Sequence, residues 1–96
     1  MADRIVDLSC YFASRHLAEE LLRREGAGYF VRPEPDGLAF RLDERKLNTV
    51  LERGREAASR MRPGPAPRPQ DLSLCRRLLR RELIHDLAVN LLRTGP

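Results

Sequence analysis

The sequence is poor in aromatic residues and cysteine, and it contains no tryptophan. Phe and Tyr make up 5% of its 96 residues, so the core must consist mostly of Leu, Val and Ala. A domain of this size lies near the lower limit for a self-sufficient core, and oligomerisation is one remedy for a thin core. We therefore expect a homodimer. Cys10 and Cys75 lie far apart in apolar contexts, which favours small buried thiols over a disulfide.

Long apolar runs are missing too, so no segment of the sequence has the length and hydrophobicity needed to cross a bilayer. Asp3 and Asp7 interrupt the N-terminal stretch, which is not typical of a signal peptide. We therefore predict a cytoplasmic protein with no membrane partner.

Catalytic and cofactor motifs are absent from the sequence. It has no glycine-rich phosphate loop, no nucleophile beside a general base and no pair of carboxylates placed for catalysis. Cys10, His16, Cys75 and His85 lack the short-loop or i, i+4 spacing of metal sites. We expect a protein that is not an enzyme and needs neither cofactor nor metal.

Positive charge is in excess, with a net charge of +4, and it is concentrated in the second half of the chain. Residues 1–48 hold eight Lys or Arg against nine Asp or Glu, whereas residues 49–96 hold ten against five. This distribution favours nucleic acid or an acidic protein as a partner. Lys46 is the only lysine, and a GC-rich coding bias that enriches arginine is the alternative explanation.

The proline-rich stretch 62–70 is the clearest boundary in the chain. Proline fixes φ and has no N–H, so this stretch favours extended polyproline II structure over helix. It separates a body, residues 1–61, from a basic, leucine-rich C-terminal segment, residues 71–96. We predict an α+β fold that is mostly helical.

A β-hairpin is predicted over residues 28–42, because apolar and polar residues alternate on both sides of a turn at Pro35–Gly37. Gly26 and Gly28 end the preceding helix. Arg32 and Arg41 should face water. The residues expected on the opposite, buried face are Tyr29, Val31, Leu38, Phe40 and Leu42.

Helices are predicted on both sides of this hairpin. Ala2–Val6 forms a short helix, and Ser9 caps a second helix, Cys10–Glu25. After the hairpin, Asp43 caps the helix Glu44–Met61. Helical spacing then assigns the faces.

On the helix Cys10–Glu25, the apolar stripe expected to be buried is Cys10, Ala13, Leu17 and Leu21. The residues expected outside are Tyr11, Phe12, Arg15, His16, Glu19 and Arg23. Two exposed aromatic rings beside an arginine and a histidine favour a contact surface. On the helix Glu44–Met61, the stripe is Leu47, Val50, Leu51, Gly54, Ala57, Ala58 and Met61, and its small residues would suit either core packing or a dimer seam.

The order helix, tight turn, helix, hairpin, helix resembles the second half of a winged helix-turn-helix. Residues Leu8 to Leu17 resemble the turn and recognition helix of the arsenic-repressor (ArsR-type) transcription regulators, and residues 24–43 resemble their wing. The likeness covers residues 2–61, as a truncated winged-helix-like body. It implies that the helix from Cys10 enters the major groove of DNA. The contacts it implies are Tyr11, Ser14, Arg15 and His16 on that helix and Arg32 and Arg41 on the wing.

The C-terminal segment is predicted to be helical from a cap at Asp71 or Ser73 to Arg93. Its apolar face changes sides near Glu82–Ile84: Leu72, Cys75, Leu78, Leu79 and Leu83 lie on one side, then Ile84, Leu87, Ala88 and Leu91 on the other. The segment therefore either bends or has two partners, and we favour packing across the body and a second copy. The residues expected at a dimer interface are Leu47, Val50, Leu51, Gly54, Ala58, Leu79, Leu83, Leu87 and Leu91.

Four arginines, Arg76, Arg77, Arg80 and Arg81, occupy the polar side of the same segment and form a second candidate surface for nucleic acid, RNA included. Two functions from different classes follow. The first is a small, dimeric, DNA-binding transcriptional regulator of winged-helix type. The second is a protein–protein interaction module (an adaptor, inhibitor or docking domain) built on a degenerate winged helix or on the C-terminal helices.

Overall fold

The computed structural model of the chain contains helices packed around a short β-hairpin. It describes residues 6–35, 37, 39–61, 64 and 66–94, with the backbone alone for residues 91–94. In chain order the elements are α1 (Ser9–Glu25), a 3₁₀ turn (Ala27–Phe30), β1 (Val31–Pro33), β2 (Phe40–Leu42), α2 (Glu44–Met61) and α3 (Pro69–Thr94). A mostly helical α+β fold is therefore confirmed. The predicted helix Ala2–Val6 lies outside the described residues except at Val6, which is not helical.

α1 begins one residue earlier than predicted. The side chain that accepts hydrogen bonds at its start is that of Asp7 and not that of Ser9. Asp7 Oδ1 accepts hydrogen bonds from the Ser9 backbone N–H at 3.0 Å and from the Ser9 hydroxyl at 2.6 Å. The helix ends at Gly26 as predicted. Gly26 has a φ of +84°, which is unfavourable for residues with a Cβ, and its N–H donates to the carbonyl of Leu22 at 2.9 Å.

The hairpin is shorter than predicted, because the chain makes one 3₁₀ turn before it enters β1. This turn directs Phe30 into the core, where it is fully buried, and leaves Tyr29 only half-buried. Phe40 was expected inside but is 52% exposed, since it lies opposite Pro33 at the outer end of the ladder. Leu42 is buried as predicted. The predicted buried position of Leu38 lies outside the described residues.

α2 has the predicted bounds and the predicted cap. Asp43 Oδ1 accepts from the backbone N–H groups of Arg45 at 3.0 Å and Lys46 at 3.4 Å, which satisfies two donors that the first helical turn leaves free. Its stripe faces the core at Leu47 and Val50, whereas Met61 is 82% exposed. The stripe therefore turns away from the body in the last helical turn.

α1 and α2 approach each other most closely where Gly54 faces Ser14. A Cβ built on Gly54 would lie 2.7 Å from the backbone nitrogen of Ser14 and 2.8 Å from its Cα, closer than such atoms can approach. Ser14 is fully buried by this contact. The close approach that the small residues of α2 predicted is thus made within one chain.

α3 is one continuous helix, and it begins at Pro69, before the predicted caps. Proline suits the first helical position because it lacks the N–H that would have no partner there. The Arg68 carbonyl accepts from the N–H groups of Asp71 and Leu72 at 3.0 and 3.1 Å. Asp71 is therefore inside the first turn, where its carboxylate is buried and paired with Arg68 at 3.2 Å.

One core joins α3 to the rest of the chain, which confirms the predicted packing against the body, while packing against a second copy stays a prediction. Its buried apolar residues are Ala18, Phe30, Leu42, Leu47, Val50, Leu79, Leu83 and Leu87. Leu87 was assigned to the opposite side of α3 and is instead buried below Leu83 at i+4 spacing, whereas Ile84 and Ala88 are exposed. Among the described residues, no helix is both long and apolar enough to cross a membrane.

Candidate nucleic-acid interface

The face of α1 predicted to contact DNA is largely occupied by contacts within the chain. Ser14, which the resemblance places among the DNA contacts, is fully buried against Gly54, because the buried face of α1 follows Cys10, Ser14 and Ala18. The sequence predicted Ala13 and Leu17 on the buried face. Each lies one position before an observed buried residue, and both are only half-buried. Ser14 faces inward because Gly54, which has no side chain, lies opposite it on α2.

Tyr11 and Arg15 both bind Glu82 on α3. The Tyr11 hydroxyl donates to Glu82 Oε2, and Arg15 Nη2 lies 3.1 Å from Glu82 Oε1. The hydrogen bond to the Glu82 carboxylate is the main reason why the pKa of Tyr11 is raised above its ordinary value of 10.0. Arg15 Nε also donates to Glu19 at 3.1 Å. Tyr11 was expected outside and is half-buried against the core instead.

Phe12 and His16 remain exposed on α1, as predicted. Phe12 packs edge-on against the Tyr11 ring at 5.2 Å and keeps 60% of its surface exposed. Glu19 and Glu20 are exposed on the same helix. Together with Glu25 they balance the three exposed arginines of this helix, Arg15, Arg23 and Arg24, so the surface of α1 has no excess of positive charge to attract a nucleic-acid backbone.

Arg32 and Arg41 are exposed on the hairpin, as predicted, and they form a directly opposed pair in the ladder. Opposed residues of an antiparallel pair project from the same face, and two like charges there are destabilising. Arg41 has one distant counterion, Glu34 at 3.9 Å. Within the part of the chain that the structure describes, Arg32 has no ion pair.

These two arginines line a cleft of about 430 Å³ between the hairpin, the start of α2 and the middle of α3. We call it the arginine cleft. Its lining residues are Arg32, Arg41, Leu42, Asp43, Glu44, Arg45 and Arg80. Four arginines from three parts of the fold thus line one concave surface together with two acidic residues.

The four arginines predicted on α3 do not act as one group. Arg76 Nη2 and Arg80 Nε bind the two oxygens of Glu44 at 2.7 and 3.0 Å, and Arg76 Nε donates to Asn48 Oδ1 at 3.1 Å. Arg77 and Arg81 are exposed and have no ion pair with any described residue. Arg76 and Arg80 therefore hold α3 against α2, and only Arg80 lines the cleft.

Arg45 is the member of the cleft that the sequence did not identify. It lies in the first turn of α2 and is exposed, without an ion pair among the described residues. The only sequence signal is its position two residues after the Asp43 cap, which places it beside the base of the hairpin. That juxtaposition depends on the tertiary structure.

The residues predicted to form a dimer interface are mostly buried inside the single chain. Leu47, Val50, Gly54, Leu79, Leu83 and Leu87 are all buried there. Leu51 and Ala58 are half-buried, and the side chain of Leu91 lies outside the described part. A second copy would therefore have to bind another surface than this stripe.

Cys10 and Cys75 are free, buried thiols, as the sequence favoured. Cys10 Sγ donates to the carbonyl of Leu51 at 3.6 Å, and Cys75 Sγ donates to that of Asp7 at 3.7 Å. Burial raises the pKa of both thiols above the ordinary value of 9.0. Neither residue has the low pKa of a reactive thiol. Among the described side chains, no cluster of three or more His, Cys, Asp or Glu is placed to hold a metal ion.

Comparisons with protein-family models, with curated proteins and with solved structures each give no match to this chain. A function must therefore be inferred from the geometry of α1 and of the arginine cleft.

Proposed function

We propose that the chain is a small, non-enzymatic nucleic-acid-binding module that contacts the phosphate backbone of duplex DNA through its hairpin side. The observation that carries this proposal is the arginine cleft, where Arg32, Arg41, Arg45 and Arg80 meet. The order of α1, hairpin and α2 supports a winged-helix-like arrangement in which the wing positions the protein. Phosphate contacts of this kind give affinity without sequence information.

α1 contributes little to DNA binding in this proposal, because three of its four predicted contacts are used within the chain. Ser14 is buried, and Tyr11 and Arg15 bind Glu82. Base discrimination of the kind that an arginine provides by bidentate binding to guanine is therefore not expected. Affinity should instead vary little among duplexes of equal length and different sequence.

The experiment is fluorescence anisotropy with a random-sequence duplex at several salt concentrations. Four arginine–phosphate contacts predict that log K falls with log salt with a slope of about −3 to −4. The double variant Arg32→Gln, Arg41→Gln should weaken binding severalfold and make this slope shallower. Arg23→Gln, Arg24→Gln is the matched control, because both arginines are exposed on α1 and away from the cleft.

A second candidate function, protein–protein interaction, is favoured by the exposed apolar side chains. Phe12, Phe40 and Ile84 are 60%, 52% and 43% exposed. If the protein does not bind duplex at low salt, and Phe12→Ala or Phe40→Ala abolishes capture of a partner protein, this function replaces the first.

A loss of DNA binding on Arg15→Ala, with no effect of the hairpin variants, would instead restore α1 as the DNA-contacting helix.

The expected homodimer stays a prediction, to be tested by sedimentation equilibrium of the full chain. A dimer would have to use surface residues such as Ile84, Ala88 and Val89 on α3, because the core side of that helix is already covered.

A further inference from the structure

We propose that the arginine cleft is a discrete phosphate-binding site, whose ligand can be a phosphate of a nucleic-acid backbone or a free diphosphate. The inference deepens the proposed function, since it states which chemical group the hairpin side binds. Its first support is electrostatic. Arg32 and Arg41 are held opposite each other by the strand register, and this costs stability unless an anion lies between or above them.

The acidic residues of the cleft do not neutralise these charges. Asp43 is engaged as the cap of α2, where its carboxylate accepts from the N–H groups of Arg45 and Lys46. Glu44 is shared between Arg76 and Arg80. Within the described structure, the guanidinium groups of Arg32 and Arg45 have no ion pair. Among the described residues, Arg41 pairs with Glu34 at 3.9 Å, whereas Arg32 and Arg45 bring positive charge to the cleft without a counterion.

The lining of the cleft selects phosphate rather than a nucleobase. Among the described residues that line it, Leu42 is the only apolar one, and none has an aromatic ring on which a base could stack. Guanidinium groups bind phosphate oxygens through two parallel hydrogen bonds, with a geometry that lysine does not provide. The volume, about 430 Å³, lies within the range for small-molecule sites and has room for a diphosphate.

Arg80 can exchange its partner without release of α3. Its Nε binds Glu44 at 3.0 Å, while Arg76 binds the other oxygen of the same carboxylate at the shorter distance of 2.7 Å. If a phosphate takes the donors of Arg80, Arg76 still joins α3 to Glu44. Anion binding should therefore shift the Arg80 Nε–H resonance and leave the helices unchanged.

The experiment is NMR titration of the full chain, with observation of the arginine Nε–H groups, using pyrophosphate, inorganic phosphate and a short DNA duplex in separate arms. We expect pyrophosphate to bind at least about tenfold more tightly than inorganic phosphate, which corresponds to one further charge-assisted hydrogen bond. The double variant Arg32→Gln, Arg45→Gln should lose at least about tenfold in pyrophosphate affinity. The control Arg77→Gln, Arg81→Gln removes two exposed arginines outside the cleft and should change affinity less than about twofold.

Both test arginines are exposed, so circular dichroism and the thermal midpoint should show that the variants remain folded.

Competition between pyrophosphate and duplex supports the inference and the proposed function together. Duplex binding that the cleft variants weaken, but with which pyrophosphate does not compete, overturns the inference and leaves the proposed function standing. Duplex binding that neither pyrophosphate nor the cleft variants affect overturns both. Pyrophosphate binding without duplex binding supports the site and overturns the function. Equal losses in the test and control variants show only general charge attraction and overturn the site.

Discussion

At the scale of single residues, the contact between Gly54 and Ser14 sets how closely α1 and α2 pack. Gly54→Ala would place a Cβ against the Ser14 backbone and force the helices apart, at a cost of about 1–3 kcal/mol. The measurement is the free energy of unfolding from urea titration. Gly28→Ala is the matched control, because a Cβ there meets no atom within 4 Å. Equal effects of the two variants would contradict this account of the packing.

Tyr11 gives a second prediction at this scale, one that concerns pH. Its folded-state pKa is raised, mainly by the hydrogen bond that its hydroxyl donates to Glu82, so the stabilisation is fully present below the unfolded pKa, near 10. It is lost as the pH rises through the folded pKa, because the unfolded chain releases this proton first. We expect the stability difference between wild type and Tyr11→Phe to be largest at neutral pH and to shrink in alkali. Urea midpoints at about pH 8 and about pH 10.5 measure it, and a difference that grows with pH would show the opposite linkage.

At the scale of elements, the start of α2 depends on Asp43. Asp43→Ala removes the acceptor for the N–H groups of Arg45 and Lys46 and should cost about 1 kcal/mol of stability. Asp43→Asn keeps a side-chain oxygen and should retain most of it. Chemical denaturation of both variants tests the cap. Because Asp43 also lies beside the arginine cleft, Asp43→Asn removes a negative charge there and should strengthen pyrophosphate binding.

The sequence was most informative where the cause is local. The cap at Asp43, the helix end at Gly26 and the bounds of α2 all follow from the chemistry of a few neighbouring residues. The errors occurred where a distant element decides. Ser14 is buried because Gly54 lies opposite it, and Tyr11 turns to Glu82, 71 positions further along the chain.

The apolar face of α3 was misassigned for a different reason. Leu87 was grouped with Ile84, Ala88 and Leu91, although four residues at 100° each rotate it only about 40° from Leu83, and it lies with Leu79 and Leu83 in the core. The arginine cleft likewise required three elements to meet, and Arg45 has no local signal that distinguishes it from the other exposed arginines. Short-range patterns therefore predicted the elements and three of the four cleft arginines, but not that these arginines line one cleft.

At the scale of the whole molecule, α3 completes the core, so residues 1–62 should not fold alone. Leu79, Leu83 and Leu87 each contribute about 1.5–3 kcal/mol through burial, and their sum is comparable to the entire stability of a small domain. Circular dichroism and size-exclusion chromatography of this fragment should show an unfolded chain. Addition of a peptide covering residues 66–94 should restore helicity. A fragment that forms a folded monomer without the peptide would refute the shared core.

The late position of these leucines in the chain also affects folding during synthesis. Residues 9–61 are synthesised before Leu87, and at about 5–20 residues per second the next 26 residues take roughly 1–5 s. During this interval Phe30, Leu47 and Val50 have no cover from α3. The nascent chain therefore exposes an apolar surface that chaperones can bind, and synonymous codons that slow translation between residues 62 and 87 would prolong that exposure.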